Sequence, residues 1–469
     1  MHVILLFRNI YVRKYEFMNK ENKMGVMPVK QLIVSMSLPM MISMLVQALY
    51  NVVDSAFVAR IPNNATEAIT AVTLAFPMQN LMIALGSGTG VGINALLSRS
   101  LGEKRFDKSD SAANTGLLLT FFNFVLFFII GLFFARPFIA SQYNGGLIME
   151  FGTKYLRIIC LFSAGIFFQM TFERLLQSTG KTVYSMVSQA TGAIINIIFD
   201  PLLIFGIGPF PELGVAGAAY ATVMGQFIGS FIGLFCNLKF NREIVFSLKK
   251  VLHPDLETIK DIYYVGVPSI LMMSIGSVMT YLLNKILITL SPLATAVFGI
   301  YFKLQSFFFM PVFGLNNGLI PVLAYNYGAK SRSRIVESLK FALVLALSIM
   351  FVGTITFFTI PETLLGFFNA EPDMMQIGVP ALRIICLSFP IAGLCITMGS
   401  IFQAFSKSFY SLIISVGRQL VVLIPAAWLL SKTNNIDLVW LAFPIAEIAS
   451  LALSTYYFTK LYRQTVEKI

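Results

Sequence analysis

Two stretches of this chain carry the same residues 226 positions apart. Leu156-Arg157-Ile158-Ile159-Cys160-Leu161 recurs as Leu382-Arg383-Ile384-Ile385-Cys386-Leu387. The same offset relates Gln79 to Gln305, Gly102 to Gly328, Lys104 to Lys330, Gln177 to Gln403, Lys181 to Lys407, and Tyr184-Ser185 to Tyr410-Ser411. One offset that holds from Gln79 to Ser185 indicates an internal duplication. Both halves of the chain must therefore be able to adopt the same fold.

The repeated unit consists of long apolar runs. Hydrophobic residues make up 57% of the 469 residues and charged residues 12%, and the mean hydropathy is +0.78. The charged fraction is about half that of a soluble domain. The runs are continuous, as at 115–134, whereas strands of a membrane β-barrel alternate apolar and polar residues. We therefore predict an all-α integral membrane protein. Twelve transmembrane helices are expected at 31–59, 67–98, 111–135, 148–178, 182–206, 214–238, 258–290, 294–325, 335–360, 373–405, 408–431 and 436–460.

Six spans fall in each copy of the repeat, which predicts two six-helix bundles. Because six is even, both bundles start on the same side of the membrane and are related by a pseudo-twofold axis along its normal. The predicted division is a cytoplasmic N-terminal arm at 1–30, an N-terminal bundle at 31–238, a cytoplasmic linker at 239–257 and a C-terminal bundle at 258–469. Residues 1–26 are expected to be a basic arm or to precede a later translation start. Prolines are expected to kink the spans, at Pro39, Pro77, Pro268, Pro311, Pro390 and Pro425.

Basic residues are concentrated in alternate loops. Most lie on one side of the predicted membrane, for example in 99–108, 239–250 and 330–334. The loops of the other side hold Arg60, Arg136 and Lys432. This bias predicts that both termini are cytoplasmic, in a multi-pass protein of a bacterial-type cytoplasmic membrane. It also explains the net charge of +12 through attraction to anionic membrane lipids, so no nucleic-acid partner is implied.

Residue types for enzyme chemistry are scarce in the predicted spans. His2 and His253 lie outside them, and all four cysteines lie in apolar runs. These positions argue against a histidine base, a histidine-ligated metal and a disulfide framework. The run Gly86–Gly92 resembles a phosphate-binding loop, but it lies inside a span and lacks the following lysine. Close helix packing explains it better. We predict no cofactor, and an ion gradient must drive any transport.

A polar stripe runs along one face of the first span. Gln47, Tyr50, Asn51 and Asp54 follow one another at spacings of three, one and three in otherwise apolar sequence, which places them on one helix face. Polar groups at membrane depth are costly and usually functional. Asp54 is therefore a candidate ion-binding residue, and the other three are candidates for the cavity wall. The alternative for Asp54 is an interfacial position near the outer membrane surface.

The fifth span carries a second polar pair. Asn196 and Asp200 lie one helical turn apart and share a face, whereas the second copy has Val422 and Ala426 at the matching positions. A carboxylate at membrane depth can load and release a proton, and two facing carboxylates can bind Na⁺ together with Asn and hydroxyl oxygens. The alternative is that Asp200 caps the outer end of its helix before Pro201.

Further charged residues lie within the predicted spans, among them Glu173, Arg418 and Glu447. Glu173 is either a third acidic residue of the cavity, where Gln177 is another candidate, or the partner of a neighbouring helix. Arg418 and Glu447 are expected to form a buried pair with a structural role. Some of the 22 Met and 44 Phe residues would line a cavity in a drug exporter, because thioethers and aromatic rings accommodate varied apolar ligands.

These features together resemble the multidrug and toxic compound extrusion (MATE) transporters over residues 30 to about 465. The matching features are Tyr50-Asn51-Val-Val-Asp54 after Pro39, Gly180-Lys181 before the fifth span, Asn196, Asp200-Pro201 and the two six-helix halves. The resemblance implies a V-shaped pair of bundles and the export of amphipathic, often cationic drugs. It also implies that Asp54, Asn196 and Asp200 bind the coupling ion, H⁺ or Na⁺.

The position of the acidic residues favours one branch of that family. The NorM-like branch uses acidic residues of its C-terminal half, but the predicted spans 7, 8 and 10 hold no Asp or Glu away from their ends. The chain therefore resembles the DinF-like branch. We expect a monomer that contacts small amphipathic drugs and membrane lipids, with Pro39 as a helix hinge.

Two other functions are alternatives for such a chain. A lipid-linked saccharide flippase of the same superfamily is the alternative within transport. Such proteins often carry extra helices and a strongly basic cavity, whereas this chain has twelve predicted spans and an acidic N-terminal site. A membrane enzyme is disfavoured because the predicted spans hold no histidine, no metal-ligand cluster and no nucleophile motif.

Overall fold

The structure, a computed structural model, describes residues 22–62, 64–143, 145–368 and 371–469. Most of the predicted N-terminal arm lies outside these residues. The N-terminal half comprises α1 (Lys23–Val26), α2 (Val29–Val58), α3 (Ala65–Gly102), α4 (Phe106–Phe133), α5 (Ala135–Ala140), α6 (Gly146–Leu161), α7 (Ala164–Ser178), α8 (Thr182–Phe205) and α9 (Val215–Phe240). These helices follow the apolar runs of the sequence.

The linker and the C-terminal half repeat this order. They comprise α10 (Leu248–Leu252), α11 (Leu256–Leu290), α12 (Pro292–Gly328), α13 (Arg332–Thr359), α14 (Pro361–Gly366), α15 (Pro372–Ile385), α16 (Phe389–Ala404), α17 (Ser408–Val416), α18 (Ile424–Ser431), α19 (Ile436–Trp440) and α20 (Ala442–Gln464). Every regular element among the described residues is helical, which confirms the predicted fold class. Asp255 starts α11 as an N-cap, because its side chain accepts hydrogen bonds from the Glu257 and Thr258 backbone amides.

Among the described residues, eleven helical segments are long and apolar enough to cross a membrane, and α6 with α7 forms one further, bent span. The bend of 45° lies at Phe162 and Ser163. No proline stands at this break, and the sequence predicts no proline kink for this span. Pro39, Pro77, Pro268 and Pro311 instead lie inside unbroken helices. Pro390 and Pro425 do follow irregular turns, a 3₁₀ turn at Cys386–Ser388 and a π-helical turn at Gly417–Leu423.

The duplication is visible in the backbone at two pairs of turns. Lys104 and Lys330 both have left-handed φ angles, of 58° and 54°, and so do Gly180 and Ser406, with 87° and 57°. Each pair is separated by the 226-residue offset of the sequence. The hydrogen bonds correspond as well, since Lys181 N donates to Leu176 O and Lys407 N to Phe402 O. These turns close the ends of α3, α12, α7 and α16 with left-handed caps.

The two halves contact each other along α2, α3, α11 and α12. Glycines make the closest approaches: Gly88 and Gly92 of α3 face Ile270 and Ile262 of α11, Gly314 and Gly318 of α12 face Met41 and Met36 of α2, and Gly102 and Gly328 face the opposite helix ends. All these contacts lie toward the ends of the helices that are nearest α1. Near the other ends, the N-terminal half has an apolar core of its own, from Val58 to Val223. The halves are therefore closed together on the side that carries α1.

Candidate functional site

Asp54 of α2 and Asp200 of α8 meet inside the N-terminal half. Their carboxyl groups lie close enough to interact and to share a proton, and Asp200 is fully buried. Asp200 is not a cap at a helix end, because α8 continues through Pro201 to Phe205. Two carboxyl groups share a hydrogen bond only when one of them holds a proton. This arrangement can therefore store and release a proton.

Asn196 connects Asp200 to a hydroxyl group on α9. With its amide placed to satisfy both neighbours, Asn196 donates to Asp200 Oδ2 at 3.1 Å and accepts from Thr222 Oγ1 at 3.2 Å and from Thr222 N at 3.1 Å. All these groups are buried. The spacing of four residues in α8 places Asn196 and Asp200 on one face. The pair therefore forms a polar surface that spans α8 and α9.

Two tyrosines complete the surroundings of Asp54. Tyr50 lies one turn before Asp54 in α2, with its hydroxyl near that of Thr222. Tyr155 of α6 interacts with Asp54 and accepts a hydrogen bond from Gln79 Nε2 at 3.1 Å. The cluster thus joins five helices, α2, α3, α6, α8 and α9. Polar groups from five helices converge in an apolar bundle, which is the pattern of an ion site at membrane depth.

One oxygen of this cluster is left without a partner. Asp54 Oδ1 is buried and accepts no hydrogen bond. A buried carboxylate oxygen without a donor is unfavourable unless a proton or a cation satisfies it. The donor set is made of oxygens, from the Asp54 and Asp200 carboxyls and the Thr222 hydroxyl. Such hard ligands suit a proton or Na⁺ rather than a soft transition metal.

The sequence family of this chain follows from comparison with known proteins. The MatE family matches residues 39–202 and 268–429, one segment in each half of the repeat. The chain belongs to the MatE family. It is 26% identical over 437 residues to the multidrug export protein MepA of Staphylococcus haemolyticus strain JCSC1435, covering 92% of this chain and 94% of that protein.

Solved structures agree with this assignment. An outward-facing conformation of a multidrug resistance MATE family transporter matches with a TM-score of 0.89 at 25% identity, over 96% of this chain and 99% of that one. A MATE in the bent conformation matches with a TM-score of 0.85 at 25% identity, over 94% and 96%. The predicted resemblance to MATE transporters is confirmed. MatE proteins are secondary transporters, so the chain is a transporter and not an enzyme.

The other predicted site residues of this MatE protein lie apart from the Asp54 cluster. Gln47 accepts a hydrogen bond from Gln189 Nε2 at 3.0 Å, and Asn51 is exposed. Glu173 Oε1 accepts from Gln169 Nε2 at 3.0 Å and from Ser188 Oγ at 3.4 Å. Ser188 precedes Asn196 by eight residues in α8, so Glu173 is displaced along that helix by about 12 Å.

Gln177 belongs to a polar group where the halves meet. Arg174 Nη1 donates to Gln177 Oε1 and to Asn317 Oδ1, both at 3.0 Å, and Asn317 lies on α12 of the C-terminal half. Gln177 Nε2 donates in turn to Ser185 Oγ at 2.9 Å. The structure therefore places Gln177 in a buried contact between helices, beside the interface at which the two halves are closed together.

The C-terminal half of this MatE protein has a buried ion pair in place of the carboxyl pair. Arg418 Nη1 lies 2.6 Å from Glu447 Oε1, and the predicted pairing of these residues is confirmed. Arg418 stands in the π-helical turn between α17 and α18, a distortion often found at functional sites. Because the arginine neutralises Glu447, this site is chemically unlike the Asp54 cluster.

Sequence reasoning missed Thr222, Tyr155 and Gln79 as neighbours of Asp54. Threonine and tyrosine are common in membrane helices, so residue type alone does not single them out. Gln79 is noticeable only as a repeat match to Gln305. Their assignment needed the packing of α3, α6 and α9 around α2 and α8.

Proposed function

We propose that this protein is an ion-coupled antiporter that exports amphipathic, often cationic compounds by alternating access, driven by H⁺ or Na⁺. The observation that carries this proposal is the buried Asp54–Asp200 carboxyl pair, in which Asp54 Oδ1 has no partner. The multidrug export relatives support the substrate class. Binding of the ion and binding of the drug favour different conformations of the N-terminal half, so the two ligands compete.

The pair is suited to coupling because it joins two helices that meet the rest of the molecule differently. α2 packs on α12 of the other half, whereas α8 packs mainly on α9 within its own half. Loading a proton or Na⁺ changes the attraction between Asp54 and Asp200, and so the fit of α2 against α8. Ion occupancy then shifts the balance between the two conformations by its differential affinity for them.

We assign the ion site to the N-terminal half, as in the DinF-like branch. Glu447, the buried acid of α20, is held by Arg418 at 2.6 Å and therefore does not need a mobile cation to balance its charge. The Asp54 cluster has no such arginine among the contacts of its described residues. The coupling ion is therefore expected to act on one half.

Efflux from proteoliposomes tests the function and the site together. A fluorescent cationic drug is loaded, and H⁺ and Na⁺ gradients are imposed separately. Asp54→Asn and Asp200→Asn should each abolish gradient-driven efflux while drug binding remains measurable, because the amide can neither carry a proton nor supply a charge. Glu447→Gln is the matched control and should retain coupled efflux per mole of folded protein. Equal losses in all three variants would contradict an N-terminal coupling site, and gradient-independent translocation of a lipid-linked saccharide would favour the flippase.

The membrane orientation is part of this proposal. Single cysteines at Asp107 and Ser247, which lie near the predicted cytoplasmic ends of their helices, should react only from the cytoplasmic side. Both residues belong to the basic loops on which the orientation rests. Labelling of either cysteine by an impermeant reagent added outside intact cells would reverse the orientation.

A further inference from the structure

A cavity of about 580 Å³ lies between the two halves on the side that carries α1. Its walls come from α1, the ends of α3, α7 and α12, the starts of α4, α8 and α13, and the segment that follows α9. Charged residues dominate its polar lining. They are Lys23, Lys104, Lys181, Arg242, Arg334 and Glu243. We refer to this cavity as the basic pocket.

Among the described residues that line the basic pocket, Glu243 is the one carboxylate. Glu243 Oε1 lies 3.2 Å from Lys181 Nζ and accepts a hydrogen bond from Asn22 Nδ2 at 3.4 Å. Lys23 and Lys104 form no ion pair with any carboxylate in the described part of the chain. Burial, and then the charge of Lys181, lower the pKa of Lys23, while Glu243 acts in the opposite direction. Among the residues that the structure describes, the basic pocket therefore leaves the charges of Lys23 and Lys104 without a carboxylate partner in an ion pair.

The pseudo-twofold axis supplies a comparison within the molecule. A second cavity of about 380 Å³ lies at the matching place, where Ser406 and Lys407 take the positions of Gly180 and Lys181. Four cations and three carboxylates line it. Its ion pairs are Arg99–Glu103 at 2.8 Å, Arg105–Glu103 at 3.3 Å, Lys108–Asp261 at 2.9 Å and Lys108–Glu257 at 3.9 Å. The fold position therefore does not require an excess of positive charge, and the excess is particular to the basic pocket.

Arg334 forms hydrogen bonds that hold one wall of the basic pocket in place. Arg334 Nη2 donates to Met24 O at 3.0 Å and to Met27 O at 2.7 Å, and its Nε donates to Asn326 Oδ1 at 3.1 Å. These bonds fix α1 against the C-terminal half. Lys23 is thereby held over Gly180, whose missing side chain leaves room for the lysine stem. The cationic groups are therefore positioned by the fold before any ligand arrives.

We propose that the basic pocket binds a phosphate group, carried either by an anionic lipid headgroup or by a soluble phosphate ester. A phosphate offers several acceptor oxygens and between one and about two negative charges, which suits lysines that converge from different elements. The apolar wall formed by Leu101, Phe106 and Val183 gives room for the carbon part of either ligand. Basic pockets between membrane helices on the cytoplasmic side take anionic headgroups in this way.

The location of the basic pocket gives the ligand a conformational effect. Its walls belong to both halves and to α1, so a ligand that contacts all of them favours the state in which the halves are closed on this side. This effect is independent of the coupling ion. A phosphate ligand would therefore shift the balance between the two conformations without occupying the Asp54 cluster.

The test is a titration of the full-length protein in neutral detergent after delipidation. Thermal stability is followed against sodium phosphate, with sodium chloride at equal ionic strength as reference, and then against short-chain phosphatidylglycerol in mixed micelles. An apparent Kd follows from the rise in Tm with ligand concentration. Lys104→Gln should weaken binding about tenfold, as expected for one charge-assisted contact, and Lys23→Gln should do the same. Lys330→Gln is the matched control, because Lys330 has the same exposed turn geometry but does not line the basic pocket.

Each result of this titration either assigns the ligand or contradicts the proposal. Stabilisation by phosphate that is weakened in Lys104→Gln but not in Lys330→Gln assigns the basic pocket to a soluble phosphate. The same pattern with phosphatidylglycerol alone assigns it to a lipid headgroup. Equal responses of Lys104→Gln, Lys23→Gln and Lys330→Gln to both probes, or no stabilisation of the wild type, would overturn the proposal.

Discussion

Thr222 shows how much a single hydroxyl can contribute to a buried polar cluster. It donates hydrogen bonds to Asn196 and lies near the Tyr50 hydroxyl, and Asn196 in turn donates to Asp200. In a low-dielectric site, each unsatisfied group costs about 1–3 kcal/mol, so the orientation of Asn196 depends on this hydroxyl. The carboxyl pair is therefore positioned by a residue that carries no charge and is distant from Asp54 in the sequence.

At this scale we expect Thr222→Val to weaken the ion response without unfolding the protein. Valine keeps the shape but removes the hydroxyl, which leaves Asn196 free to turn away from Asp200. The ion concentration that gives half-maximal efflux should rise about fivefold, the effect of roughly 1 kcal/mol. Thr115→Val is the control, since the buried Thr115 hydroxyl has no partner. An equal shift in both variants would show that Thr222 does not orient the site.

At the scale of single helices, α2 is unbroken yet has one weak point. Pro39 has no N–H to give to Ser35 O, and the Thr182 hydroxyl of α8 donates to that carbonyl at 3.2 Å instead. The Thr182 side chain of the neighbouring helix thus supplies the hydrogen bond that Ser35 O lacks because of the proline. The same two helices carry Asp54 and Asp200. A bend at Pro39 and a change in the Asp54–Asp200 pair would therefore both alter the contact between α2 and α8.

Pro39→Ala should therefore retain ion binding but slow transport. The alanine N–H can bond to Ser35 O, which removes the bend point and releases α2 from its dependence on Thr182. We expect the ion-dependent change in distance between spectroscopic probes at the far ends of α2 and α11 to shrink. Pro77→Ala in α3 is the control, because that proline also lies inside an unbroken helix. A full distance change in Pro39→Ala would remove Pro39 as the hinge.

At the scale of the whole molecule, closure depends on close backbone contact between the halves. A side chain on Gly92 would collide with the Ile262 carbonyl, and one on Gly314 with the Met41 backbone. Arg174 adds a polar contact across the interface through Asn317 at 3.0 Å. Since these contacts lie on the side of α1, the structure shows the arrangement in which that side is shut.

Gly92→Ala should open this side. The methyl group has no room against backbone atoms of α11, so the closed arrangement loses stability relative to the other conformation. The distance between spin labels at Arg105 and Arg332 should increase in the resting protein. Gly299→Ala is the matched control, because nothing lies within 4 Å of the position of its added carbon. An unchanged distance in Gly92→Ala would show that closure tolerates a looser fit.

The sequence by itself determined the features that depend on local pattern. Long apolar runs dictate helices in a bilayer, the 226-residue offset dictates two equivalent halves, and a spacing of four places Asn196 and Asp200 on one face. The MATE family was also recognisable from such patterns. The division at residues 30, 238 and 257, the branch, the orientation and the roles of the site residues remain predictions.

The tertiary structure decided everything that depends on which helices are neighbours. It brings Asp54 to Asp200, places Thr222 beside Asn196, and separates Glu173 and Gln177 from the Asp54 cluster. It also bent the fourth span at Phe162 without a proline, and gave the two related cavities different charge balances. The physical reason is that a helical period fixes the face on which a side chain lies. The partner of that face is set by packing between segments that are distant in the sequence.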